Sequence, residues 1–238
     1  RFVVVALVVS SIGVLLTGCV PPVTTDPPAG AGGASPGCRS TTRGPVTDQS
    51  ETVSVDGATR RYSITIPPDH VPGTTKPIPL VLDFHGLIEG TVGTHPLATQ
   101  FSAKAIAEGF AVVDPIGSND GFNWDVSPRE DNPDLQFVDT LLDTLENTMC
   151  IDRSRVYSTG LSYGAVMTSM LMCMRSNTFA AAAPVAGMYN FCTPTDRKVP
   201  FVTFHGTNDP ILPFAWFGPV PSATAAGYGC TEPTTVTL

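Results

Sequence analysis

Apolar and polar residues alternate in ETVSVDG (51–57) and RRYSITIPP (60–68), and a period of two sends successive side chains to opposite faces of a sheet. Asp56-Gly57, between the two runs, suits a tight turn, so this region is predicted to be a β-hairpin. The alternation then stops. PLVLDFHG (79–86) is almost continuously apolar, as expected of a strand covered on both faces in a parallel sheet. LATQFSAKAIAEG (97–109) reads as a helix closed by Gly109, and it feeds a short strand, FAVVD.

PDLQFVDTLLDTLENTM places Phe137, Leu141, Leu142, Leu145 and Met149 on one helical stripe. A strand RVYSTG, a helix SYGAVMTSMLMCMR, a small-residue strand AAAAPVAG and a further strand VPFVTFHG follow. Strands alternating with helices predict an α/β domain with a mostly parallel sheet. Ligands of such sheets bind beyond the carboxyl ends of the strands, so candidate chemistry belongs there.

The N-terminal stretch has a different pattern. RFVVVALVVSSIGVLLTGC (1–19) resembles a secretory hydrophobic region whose end, Leu16-Thr17-Gly18-Cys19, is similar to a bacterial lipobox with Cys19 as the lipidated residue. A spanning anchor is the alternative, since the apolar run is near the ~17-residue lower limit for crossing a membrane. Both readings export the domain. Residues 20–45 are rich in Pro and Gly without an apolar period and are expected to be a tether, leaving 46–238 as the catalytic domain. With Cys19 set aside, five cysteines remain, so either one thiol is free or its partner is absent from this chain.

Composition narrows the function. The chain of 238 residues is 42% hydrophobic with a formal net charge of −8, which argues against a nucleic-acid partner. No His/Cys/Asp cluster has ligand spacing along the sequence, so no metal or other cofactor is expected. Any membrane contact is expected only through the N-terminal anchor.

Three motifs fall at predicted strand ends. Gly160-Leu161-Ser162-Tyr163-Gly164 joins a strand to a helix, as a nucleophile elbow does; the glycines allow the bend, Ser162 rises above the sheet, and the Tyr163 N–H is free at the helix start. Phe84-His85-Gly86-Leu87 ends a buried strand and offers the Leu87 N–H as a second oxyanion donor. His85 then shapes the loop. Asp209, in FVTFHGTNDPILPF, sits just past a strand end where its carboxylate can orient an imidazole. His205 is a competing base four residues before it, whereas His70 and His95 read as surface residues. Trp124 and Trp216 are candidate aromatic walls for substrate, with a core role the alternative for Trp124.

These blocks, in order from about Arg61 to Leu238, resemble the polyhydroxybutyrate depolymerase-like esterases, which include feruloyl and acetylxylan esterases. The resemblance implies an α/β-hydrolase fold, Ser162 as nucleophile, Asp209 as acid, and oxyanion donors at Leu87 and Tyr163. It implies an ester substrate, such as one linked to polysaccharide. The chain departs from the family in having Ala165 where a third Gly is usual and Leu87 where Cys is usual. Neither change removes a backbone N–H. The family's base is a histidine that follows the acid and one further strand, and no histidine follows Asp209 here. The base, the last strand and helix, and a partner for Cys230 are therefore expected beyond residue 238. The other four cysteines would form two bridges. A prolyl-oligopeptidase-like peptidase and a non-catalytic sugar-binding lipoprotein are the rival readings.

Overall fold

The computed structural model describes residues 14–19, 33–92, 95–192, 197–230 and 234–237. Among the described residues nine strands are found, β1 (Val14–Cys19), β2 (Val46–Val55), β3 (Ala58–Ile66), β4 (Ile78–Phe84), β5 (Ala111–Pro115), β6 (Ile151–Leu161), β7 (Ala181–Val185), β8 (Phe201–Gly206) and β9 (Thr234–Thr237). The helices are α1 (Glu89–Val92), α2 (His95–Thr99), α3 (Phe101–Glu108), α4 (Ser118–Gly121), α5 (Pro133–Thr148), α6 (Tyr163–Met174), α7 (Phe214–Phe217) and α8 (Pro219–Gly227).

All nine strands form one sheet, ordered β2-β3-β5-β4-β6-β7-β8-β1-β9. The stretch from β5 to β8 is parallel and carries the helical crossovers. The hairpin β2–β3 joins antiparallel to β5 at one side, turning through Asp56 (φ 47°) and Gly57 (φ 81°). Leu80, Leu82 and Phe84 on one face of β4 are fully buried, and on the other face Asp83 is buried and Val81 partly so. The α5 stripe packs as predicted, with Phe137, Leu141, Leu142, Leu145 and Met149 all in the core. Asn132 caps α5 by accepting hydrogen bonds from the Asp134 and Leu135 amides, and Pro133 starts the helix where no amide is needed.

Three regions depart from the sequence expectation. Val14–Cys19, assigned to an export segment with a lipidated Cys19, is a strand lying antiparallel to both β8 and β9. A run of Val and Leu suits a strand as well as a leader, and here it pairs the edge that β8 would otherwise leave open. Residues 1–13 and 20–32, the first half of the tether, lie outside the described residues. Among the described residues no helix is long and apolar enough to cross a membrane.

The packed domain also reaches further back than residue 46. The Ser35 hydroxyl donates to the Met149 carbonyl and accepts from the Ile151 amide, and Cys38 is bonded to Cys150. Finally, the helix read over 97–109 is broken at Gln100, whose left-handed backbone (φ 56°) separates α2 from α3. Gly109 caps α3 as expected, at φ 75°.

The four cysteines expected to form two bridges do so, as Cys38–Cys150 and Cys173–Cys192. Cys230 is disulfide-bonded as well, which corrects the expectation that its partner lies beyond Leu238.

Candidate active site

Ser162 stands at the bend between β6 and α6, with φ 56° and ψ −117°. Few residues with a side chain adopt that conformation, so the surroundings must hold it there. They do so from two sides. The Ser162 amide donates to the Val185 carbonyl at 2.9 Å, tying the bend to β7. On the other side α6 lies directly against the end of β4: a Cβ at Gly164 would sit 1.8 Å from the Phe84 carbonyl oxygen. A Cβ at Gly160 would meet Gly164 at 2.6 Å and Phe84 O at 2.7 Å. Both glycines of the motif are thus required by close backbone approach. The serine itself is half-buried, its hydroxyl without a hydrogen-bond partner among the described residues.

The loop after β4 runs beside this bend, and a Cβ on Gly86 would lie 3.4 Å from the Leu161 carbonyl. Leu87 follows, its side chain exposed and its N–H without a partner among the described residues. Tyr163 opens α6, where the first amides have no intrahelical acceptor. Leu87 and Tyr163 therefore offer unsatisfied amides from neighbouring parallel strand ends, Phe84 being in register with Gly160.

His85 is buried and fully engaged. The Gly117 amide donates to its Nε2 at 2.9 Å, so the proton is on Nδ1, which donates to the Gly86 carbonyl at 2.7 Å. Burial holds its pKa below the usual histidine value. It shapes the loop, as its sequence position suggested.

Trp124 takes the core role given as its alternative while also bordering a cleft. It is buried, with its ring edge-on to Phe84 at 5.2 Å and its indole N–H donated to the His85 carbonyl at 2.9 Å. Trp124 nevertheless lines, with Ser118, Asn119, Asn123, Asp125 and Tyr163, an open cleft of about 570 Å³. Trp216 is 75% exposed on α7.

Asp209 lies in the turn after β8. Its Oδ1 accepts from the Ile211 and Leu212 amides, both at 2.9 Å, and its Oδ2 is 3.6 Å from His205 Nε2. His205 is buried between Phe214 and Phe217 and gives its Nε2–H to the Leu212 carbonyl at 2.8 Å. It braces the acid's loop, and no histidine among the described residues bonds to Ser162. Because β7 alone separates β6 from β8, Ser162 and Asp209 leave strand ends about 10 Å apart, two inter-strand spacings. An imidazole fits between side chains so placed.

The fold also assembles groups that spacing along the sequence did not reveal. His70 and His95, read as surface residues, are both buried. Neither ring nitrogen of His70 has a hydrogen-bond partner among the described residues, and burial lowers its pKa. His95 lies 3.1 Å from Asp83 and 3.3 Å from Glu89. One ligand atom each of Asp83, His95 and Asp114 come within 4.8 Å of one another. This corrects the expectation that no such cluster exists. Its members belong to β4, α2 and β5, which only the sheet brings together, so no local spacing could have found them.

The profile of the prolyl oligopeptidase family matches residues 100–205, from the start of α3 through the elbow to β8. A thermostable esterase of known structure superposes with a TM-score of 0.62 at 23% identity, over 76% of this chain and 52% of its own. The chain has the α/β-hydrolase fold. In sequence it resembles a probable feruloyl esterase C of Aspergillus niger, 28% identical over 65% of this chain and 57% of that protein. It also resembles a bifunctional acetylxylan esterase/xylanase of Neocallimastix patriciarum, 32% identical over 66% of this chain and 22% of that protein. The chain thus spans little more than half the length of the first of these relatives.

Proposed function

We propose that the chain is the core of an exported serine hydrolase acting on carboxylic esters, with feruloyl or acetyl esters of polysaccharide, or short polyhydroxyalkanoate esters, as its substrate class. The observation that carries the reading is Ser162, held at φ 56° on the bend with the unsatisfied Leu87 and Tyr163 amides beside it.

In this reading the Ser162 oxygen attacks the ester carbonyl carbon while its proton passes to an imidazole. The carbonyl oxygen becomes an oxyanion received by the Leu87 and Tyr163 N–H groups, and one such donor is worth about 3 kcal/mol of barrier. Collapse breaks the bond to the alcohol, which leaves with the proton from the imidazolium. Water then attacks the acyl-Ser162 ester by the same route and releases the acid. Asp209 orients the imidazole and stabilises its charged form. The base is a histidine following the acid in chain order, expected beyond Leu238. His205 is a poorer candidate, with its Nε2–H committed to Leu212. Trp216, exposed near the acid loop, is available to aromatic acyl groups.

Labelling of the complete protein by a fluorophosphonate, lost in Ser162→Ala and retained in His205→Ala, is the expected result. Retained labelling in Ser162→Ala would sink the nucleophile. The prolyl oligopeptidase match over residues 100–205 supports a second reading, a serine peptidase on the same scaffold. Turnover of aryl esters but not of peptide anilides separates the two.

A further inference from the structure

Three consecutive amides after β4 are treated unequally. The Gly86 N–H donates to Glu89 Oε2 at 2.6 Å, and the Ile88 N–H donates to the Phe122 carbonyl at 2.7 Å. The Leu87 N–H between them has no partner among the described residues. Clamping the peptides on both sides fixes the direction of the middle one. Ile88 sits at φ 64°, which a β-branched residue adopts only when its surroundings impose it.

The clamp on Gly86 has a chain of charges behind it. His95 Nδ1 is 3.3 Å from the same Glu89 oxygen, and His95 Nε2 is 3.1 Å from Asp83 Oδ1. Asp83 belongs to β4 itself, two residues before His85. The sequence of contacts therefore runs from a strand carboxylate through an imidazole and a loop carboxylate to the amide that precedes Leu87. Burial alone would discharge His95, yet Asp83 and Glu89, with Asp114 nearby, push its pKa up to about 10. Beside His95, the Glu89 pKa lies below the usual range. The other groups facing His95 are Asp114 from β5 and the His85 ring, 6.3 Å away. A divalent cation would suit the donors of Asp83, His95 and Asp114. Both nitrogens of His95 already face carboxylates, however, so the positive charge in this pocket is the imidazolium's own.

We propose that His95, bridging Asp83 and Glu89, is a positioning residue that fixes the loop so that the Leu87 N–H faces the carbonyl oxygen of an ester at Ser162. This rests on the serine-esterase reading above.

The test is His95→Gln and Glu89→Gln in the complete protein, with the same changes also made on a Ser162→Ala background. Amide exchange over residues 84–90 is expected to accelerate at least about tenfold in both backgrounds, with α5 and β6 unchanged. Turnover of an aryl acetate is expected to fall about 10- to 100-fold in kcat with KM within about twofold, the pattern of an impaired oxyanion donor. Leu145→Ala, a core change far from the loop, provides the control: it should lower stability without lowering kcat. Unchanged exchange overturns the proposal, as does faster exchange with unchanged kcat, or a kcat loss that Leu145→Ala reproduces. A parent protein that turns over no ester removes the catalytic role along with the esterase reading, and the exchange contrast then shows which of the two has failed.

Discussion

Gly164→Ala is the sharpest test of how the elbow is built. A methyl group there would lie 1.8 Å from the Phe84 carbonyl oxygen, 2.5 Å from its carbon and 2.8 Å from the His85 carbonyl oxygen. Close C–H···O contacts need about 3.3 Å, so α6 and the end of β4 must part by roughly 1.5 Å. No side chain can rotate away, because all three atoms are backbone. Overpacking of this kind costs about 1–3 kcal/mol, and a backbone-on-backbone clash belongs at the upper end. Alanine's helix propensity works the other way by about 1 kcal/mol. The expected net loss is about 2 kcal/mol, seen in a urea titration as a lower midpoint at unchanged m, and as a Tm lower by about 4–8 °C. The opposing terms make the sign informative. A midpoint equal to or above the parent's would mean that α6 does not abut β4 at this point, and the joint placement of Leu87 and Tyr163 would fall with it.

Two other perturbations read different parts of the fold. Removing the Cys38–Cys150 bridge by a double change to Ser opens a crosslink between residues 112 apart in sequence. The chain-entropy estimate for such a loop is about 4–5 kcal/mol, so the denaturation midpoint under non-reducing conditions should fall sharply, and an unchanged midpoint would contradict the bridge. His70 is buried with no partner for either nitrogen among the described residues, and burial lowers its pKa from 6.5. The folded state thus binds fewer protons there than the unfolded state, and the stability this group contributes is present above pH 6.5 and lost as pH falls through the folded pKa. His70→Leu should flatten the decline of unfolding free energy between about pH 7 and 5; an identical slope in both proteins refutes the assignment.

Patterns one element long were legible in the sequence. The β4 run, the α5 stripe, the Asp56-Gly57 turn and the elbow glycines each carry a local physical signal, and each is found where it was expected. What the sequence concealed depends on the sheet order. Burial of His95 follows from β4 and β5 lying side by side, which brings Asp83 and Asp114 together beneath α2. Nothing within ten residues of His95 specifies those partners. Trp124 carried two readings for a related reason: its flanking residues are polar and loop-like and it borders the cleft, yet the indole reaches inward to the His85 carbonyl. Val14–Cys19 carried a true ambiguity, because an apolar β-branched run satisfies both a leader and a strand until a partner edge is known.

The strain at Ser162 can itself be measured. Its φ of 56° and ψ of −117° are held by the Val185 carbonyl on one side and the packing of Gly164 on the other. Such a conformation costs a residue bearing a Cβ about 1–3 kcal/mol, and glycine escapes most of that. Glycine also loses more unfolded-state freedom than alanine, by about 0.5–1 kcal/mol. Ser162→Gly should therefore be more stable than Ser162→Ala by about 0.5–2 kcal/mol, with both inert to a fluorophosphonate. The comparison between the two variants removes the hydroxyl from each and leaves only the backbone. Equal stabilities would mean that the bend is relaxed, and a relaxed bend would not need the glycines at 160, 164 and 187, whose added Cβ atoms would come within 2.7 Å of neighbouring backbone atoms. Strain retained under Ser and released under Gly is what natural selection for a nucleophile, rather than for stability, would leave behind.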